Sequence, residues 1–196
     1  MATLSTKLEA VNTMLSYIGE APVNSIADTS ALPISASTAI VVLDEASREV
    51  QSDPWHFNTE TEYTLTPVDS VITLPNNTLH VDVIDATQDV IQRGLRLYNR
   101  KDRTYTFTKD VKVHIQFLLD WDDLHEPARR YIMLRAARLL QARIVGSKEL
   151  EAVIIRDEAH AKARLEENDY QASDRTIFDN IDTAARVGIN RNYRIT

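Results

Sequence analysis

Apolar residues recur at spacings of three and four along the start of the chain, at Leu4, Leu8, Val11, Leu15 and Ile18. That period puts them on one stripe of an amphipathic helix. Gly19 can take the left-handed conformation that closes a helix, and Pro22 can neither extend one nor leave Ala21 helical. A first helix is therefore predicted over Leu4 to Ile18, feeding a rigid turn in "IGEAPVNSI". After a loop with two prolines, Ser35 or Ser37 is expected to cap a second helix. Its apolar positions are Ile40, Val42, Leu43, Ala46 and Val50. Pro54 ends it near Ser52 by disfavouring helix at Asp53.

From Trp55 to about Leu119 the period changes to two, with β-branched enrichment, which predicts strands. "FNTETEYTLTP", "DSVITLP", "TLHVDVIDA" and "DVKVHIQFLL" are the strand-like runs, the last placing Val111, Val113, Ile115 and Phe117 on one face. "RLYNRKDRTYTFTK" reads as two strands around "NRKD", and Pro75 to Asn77 is turn material. Helix returns near Pro127, with Asp123 or His125 as its cap and a proline in the tolerant first turn. Its stripe is Ala128, Tyr131, Ile132, Arg135, Leu139 and Ile144, widened by Met133 and Leu140. Gly146 closes it, and Ser147 caps a fourth helix running to about Tyr170 with a seam of Leu150, Ile154, Ala161 and Leu165. The remaining residues hold no period beyond a short helix around Asp182 to Val187, and read as an arm that another surface orders.

No single helix can bury its stripe alone, so the four form one bundle. The expected class is α+β: a four-helix bundle with an inserted antiparallel or mixed β subdomain and an extended C-terminal arm. The segments are 1–53 and 122–171 for the bundle, 54–121 for the insertion and 172–196 for the arm.

Composition narrows the function. The chain has 196 residues, a formal charge of -7, 43% hydrophobic residues and no cysteine. That is enough chain for one good core or two small ones. Disulfides and thiolate chemistry are excluded, and an intracellular folding environment is expected. "MATLSTKLEA" has no signal-peptide pattern, and no apolar stretch is long enough to span a bilayer. Net acidity argues against nucleic-acid binding by the whole surface but leaves room for a local basic patch.

Candidate chemistry is sparse. The five histidines are scattered, and "HEPAR" lacks the second histidine of a zinc helix. Four glycines make no phosphate-binding loop. "DWDD" groups Asp120, Asp122 and Asp123, which would suit an acid–base pair in a cell-wall or polysaccharide hydrolase if a cleft lay beside them. Acids before a helix more often serve as caps. Arg129, Arg130, Arg135, Arg138 and Arg143 cover more than one face of the third helix. They suit ion pairs with neighbouring helices or subunits, with a DNA-reading helix as the alternative.

Several blocks in order carry a family resemblance: "LEAVNTMLSYIGEAPVNSI", "ASREVQSDPWHFNTE", "ITLPNN", "LYNRKDRTYTF" and the paired helices from "LLDWDDLHEPARRYIML" to "LEENDY". Over Leu4 to Tyr170 the chain resembles the tail tubular protein A family, the head-to-tail adaptors of short-tailed bacteriophages (podoviruses). It departs from that pattern at Pro54, where a glycine is common, and at His125, where a proline is expected. The resemblance implies a non-enzymatic virion protein of the tail connector, made in the host cytoplasm and needing no cofactor or metal. It implies twelve copies in a ring, docked between the portal protein and a tail nozzle protein (tail tubular protein B-like). DNA would pass through the lumen without sequence-specific binding. Candidate interface residues are Gly19, Pro22 and Val23 in the first turn, the five arginines of the third helix, and Arg186, Arg191 and Tyr193 on the arm. Acids at Glu60, Glu62, Asp69, Asp82 and Asp85, or at Glu166, Glu167 and Asp169, are expected to keep the lumen net negative.

Overall fold

The computed structural model describes residues 4–85 and 87–172. Helix α1 (Lys7–Tyr17) starts later than predicted because Thr6 and Glu9 form a reciprocal capping box. Leu4 lies outside it, exposed, and the buried face is Ala10, Val11, Met14 and Leu15. Helix α2 (Ile34–Gln51) begins before Ser35, with Pro33 at the cap and no side-chain cap bond, so neither serine has the predicted role. The Ser37 hydroxyl donates instead to the Pro33 carbonyl inside the first turn.

Helix α3 (Glu126–Ile144) is the centre of the bundle. It packs on α1, on α2 and on α4 (Lys148–Ala172). Contact on three sides explains why its buried set extends through Leu134, Ala136, Ala137 and Gln141, far wider than one stripe. His125 holds the cap position without a side-chain cap bond, and Asp123 sits in a preceding 3-10 turn, so the carboxylate cap is not formed. Ser147 does cap α4, accepting from the Leu150 amide at 3.4 Å. The α4 seam is Ile154, Glu158, Ala161 and Leu165; the predicted Leu150 and the Ile144 of α3 are exposed.

The insertion has its own core, separate from that of the bundle. Strands β1 (Thr59–Leu65), β5 (Val111–Phe117) and β2 (Thr78–Val83) form an antiparallel sheet in that order. Val111, Val113 and Ile115 face the core as the alternation required. A bulge between Glu60 and Tyr63 puts Glu62 at φ 56 and interrupts the β1 edge.

The predicted hairpin around "NRKD" is displaced. β4 (Arg96–Asn99) pairs backwards with β3 (Val90–Arg93) across Gly94 and Leu95. Between Asn99 and β5 the chain makes only single bridges, Asn99 to Thr104 and Val71 to Thr106. "DSVITLP" likewise forms bridges, not a strand, yet buries Ile72 and Leu74.

Insert and bundle meet at a knot of buried amides. Gln51 exchanges hydrogen bonds with both backbone groups of Leu119, at 3.1 and 2.8 Å. The Gln51 carbonyl accepts from Asn58 and from Gln116, each at 2.7 Å. Thr59 and Gln116 are register partners, so the insertion leaves and rejoins the bundle at adjacent points.

Candidate functional site

The first turn is built by its own helix. The amides of Gly19 and Glu20 donate to the Ser16 and Leu15 carbonyls, a Schellman closure that needs the φ of +76° at Gly19. The Asn12 side chain then clamps Val23 from both sides, donating to its carbonyl at 3.0 Å and accepting from its amide at 2.8 Å. Val23 packs against the bundle core, while Gly19 and Pro22 are exposed. The turn is thus a rigid surface feature with Val23 as its internal anchor.

The arginines of α3 divide by environment. Arg129 departs from the surface contact expected of it: it is buried, and its guanidinium donates to the carbonyls of Leu124, Ser5 and Asp122 at 2.7–2.8 Å. With Glu126 accepting from the Ser5 amide and hydroxyl, it ties the start of the chain to the start of α3. It has no surface left to offer. Arg135 bridges Glu49 of α2 and Glu158 of α4, and Arg138 shares Glu158. These contacts raise the pKa of Arg135 above its ordinary value, the hydrogen bonds to Glu49 contributing most. Arg143 grips Glu45 with two bonds of 2.8 Å, which hold the Glu45 carboxyl below its usual range. Arg130 is exposed and has no ion pair among the described residues. It lines an open groove with Asp157, His160 and Arg164.

α3 is enclosed by three other helices, so it cannot enter a DNA groove as a reading helix. Arg135, Arg138 and Arg143 act between helices of one chain, with Glu45 and Glu49 of α2 and Glu158 of α4 as partners. Arg186, Arg191, Tyr193 and the arm beyond Ala172 lie outside the described residues. The "DWDD" carboxylates are exposed. Asp120 borders an open groove with Lys7, Asp44 and Arg48, and Asp122 contributes its carbonyl to Arg129. Among the described residues no group of three or more acidic or histidine side chains is placed to hold a metal ion. Among them, no helix is long and apolar enough to cross a membrane.

Two features escaped the sequence reading. Ile34 and Val41 lie one heptad apart on the outer face of α2, 86% and 62% exposed. Ile144, Val145, Leu150 and Val153 are exposed around the α3–α4 corner. The spacing of Ile34 and Val41, off the buried stripe, was the available signal. The second feature is the β3–β4 lobe, where the Arg93 guanidinium lies 3.6 Å over the Tyr98 ring and that of Arg96 lies 4.6 Å over Tyr105. The two tyrosines meet edge to face at 4.9 Å.

The family model described as tail tubular protein matches residues 8–175. No curated protein matches the chain at a significant level.

Proposed function

Because the chain belongs to the tail tubular protein family and is a structural protein of a phage tail, we propose that it is the head-to-tail adaptor of a short-tailed bacteriophage. In this reading twelve copies form a ring between the portal protein and the tail nozzle protein, and DNA passes through the lumen without sequence-specific recognition. The observation that carries the ring is a pair of unlike exposed apolar patches. One is Ile34 and Val41 on α2; the other is Ile144, Val145, Leu150 and Val153 at the α3–α4 corner. A closed ring repeats one heterologous contact, which requires two different patches on each subunit. Gly19 and Pro22 offer a stiff exposed turn for contact with a further partner, and Arg186, Arg191 and Tyr193 are assigned to contact with the portal.

Native mass spectrometry tests the assembly. Twelve chains of 22.2 kDa give about 266 kDa, and Val41→Lys or Leu150→Glu should lower the amount of that species while leaving the monomer folded. A chain that stays monomeric both alone and with portal protein would overturn the adaptor reading.

A further inference from the structure

The β3–β4 lobe breaks two local rules at once. Over residues 89–109 it carries six cations against Asp89 and Asp102, a net charge of +4, so the rest of the chain carries -11. Within the insertion, residues 54–121, everything outside the lobe sums to -6. The expected acidic insertion is therefore strongly polarised. The second broken rule is at the hairpin end, where Arg93 and Arg96 are direct register partners. Like charges facing across two strands destabilise a hairpin, and a sequence that accepts such a conflict marks a site used for something other than folding.

The lobe is also rigid. Leu97 is fully buried, and its amide donates to the Ile72 carbonyl at 3.1 Å, while the Leu74 amide donates to the Leu95 carbonyl at 2.9 Å. Both acids are committed inside the lobe, Asp89 to Arg100 and Asp102 to Asn99. Arg93, Arg96, Lys101, Arg103 and Lys109 are exposed and make no ion pair among the described residues. Tyr98 and Tyr105 each seat one of these guanidiniums over a ring, at 3.6 and 4.6 Å, a contact that leaves its positive charge without an acidic partner.

A protein partner would be expected to bury an apolar centre, because that is where protein interfaces gain most of their affinity. The lobe has Leu95, 41% exposed, and little else of that kind. Polyanion binding instead gains affinity from unpaired cations that displace condensed counterions. We propose that the β3–β4 lobe is a binding site for the phosphate backbone of double-stranded DNA, with Arg93, Arg96, Lys101, Arg103 and Lys109 as its contacts. The contact reads charge and not bases, since the tyrosine faces are covered by arginine. The site stands on the lobe alone and operates on the full chain whatever its oligomeric state.

The test is fluorescence anisotropy of labelled 20-base-pair duplexes of two unrelated sequences, titrated with full-length protein between about 50 and 200 mM salt. Both duplexes should bind equally. If all five cations engage, log affinity should fall against log salt with a slope of about -4.5. Lys101→Gln with Arg103→Gln and Lys109→Gln removes three contacts and should reduce that slope by about 3, at an unchanged melting temperature. Arg130→Gln with Arg164→Gln, exposed cations away from the lobe, should change neither affinity nor slope. Absence of binding at low salt, equal binding by the lobe variant and the parent, or a marked preference between the sequences would overturn the proposal. So would salt-sensitive self-association through the lobe with no DNA bound, which would assign the lobe to a second copy of the chain.

Discussion

Glu158 is the one buried carboxylate among the described residues. It sits in the α4 seam between Ile154 and Ala161, and it is the only described acid that pairs with Arg138. Its side chain is 11% exposed, against 25% and 23% for Arg135 and Arg138. Glu158→Gln keeps the shape and removes the charge. Breaking a fully buried pair costs about 3–5 kcal/mol because the remaining charge loses its partner. Here both guanidiniums retain some water, and Arg135 keeps Glu49, so the loss should be about 2–3 kcal/mol. For a chain of this length that is a fall in Tm of about 5–10 °C. The comparison variant is Glu45→Gln, which breaks the Arg143 pair, 46–47% exposed on both sides. A solvent-exposed pair of this kind contributes far less than a buried one, because water screens both charges. Urea melts of the two variants should therefore separate clearly. Replacing both Glu158 and Arg138 with leucine should recover most of the deficit, because an apolar seam needs no counter-charge. Equal stability of Glu158→Gln and Glu45→Gln, within about 0.5 kcal/mol, would refute this account of burial-dependent pairing.

Two further outcomes can be measured on the isolated protein. Burial against Phe57 pushes the His125 imidazole below its ordinary 6.5, with Asn168 and Asp169 pulling weakly the other way. As pH falls through that value the unfolded chain takes up the proton first, so stability is lost below about pH 6.5 and levels off beneath the folded value. Denaturant melts of His125→Gln should lack this slope, while retaining the separate loss below about pH 4.5 expected because Arg143 holds down the Glu45 carboxyl. Gly19→Ala should cost about 1–2 kcal/mol in urea melts. A Cβ there meets nothing within 4 Å, so the penalty comes from the φ of +76° alone, and Gly19→Asn should cost less.

Among the described residues, the four long helices, the place of the insertion between the second and third, and most of its strands were legible because burial there largely follows a single period. β5 is the clearest case, with Val111, Val113 and Ile115 alternating against Lys112 and His114. Legibility failed where burial came from several sides. α3 has neighbours around most of its circumference, so Arg129 looked like a surface residue when its guanidinium is enclosed by three carbonyls. The β3–β4 hairpin was missed because "VIQRGLRLY" sets arginines opposite each other, which no pairing preference suggests. Glu158 was hidden differently. Nothing local separates it from its exposed neighbours; its value arises from two arginines about twenty positions away. The Thr6–Glu9 capping box, by contrast, is written in the sequence and would have placed the start of α1 correctly.

The amide knot at the root of the insertion has a mechanical consequence. Thr59 and Gln116 enter and leave as register partners, and Gln51 ties Asn58, Gln116 and Leu119 to the end of α2. Tension applied at the far tip of the insertion therefore reaches the helices through two strands at once. Because both strands are pulled the same way, their mutual hydrogen bonds carry little of that load, and it falls on the bonds of the knot. A tip pulled away from the bundle would stretch its own loops and the single bridges around Thr104 and Thr106 well before the root gave way.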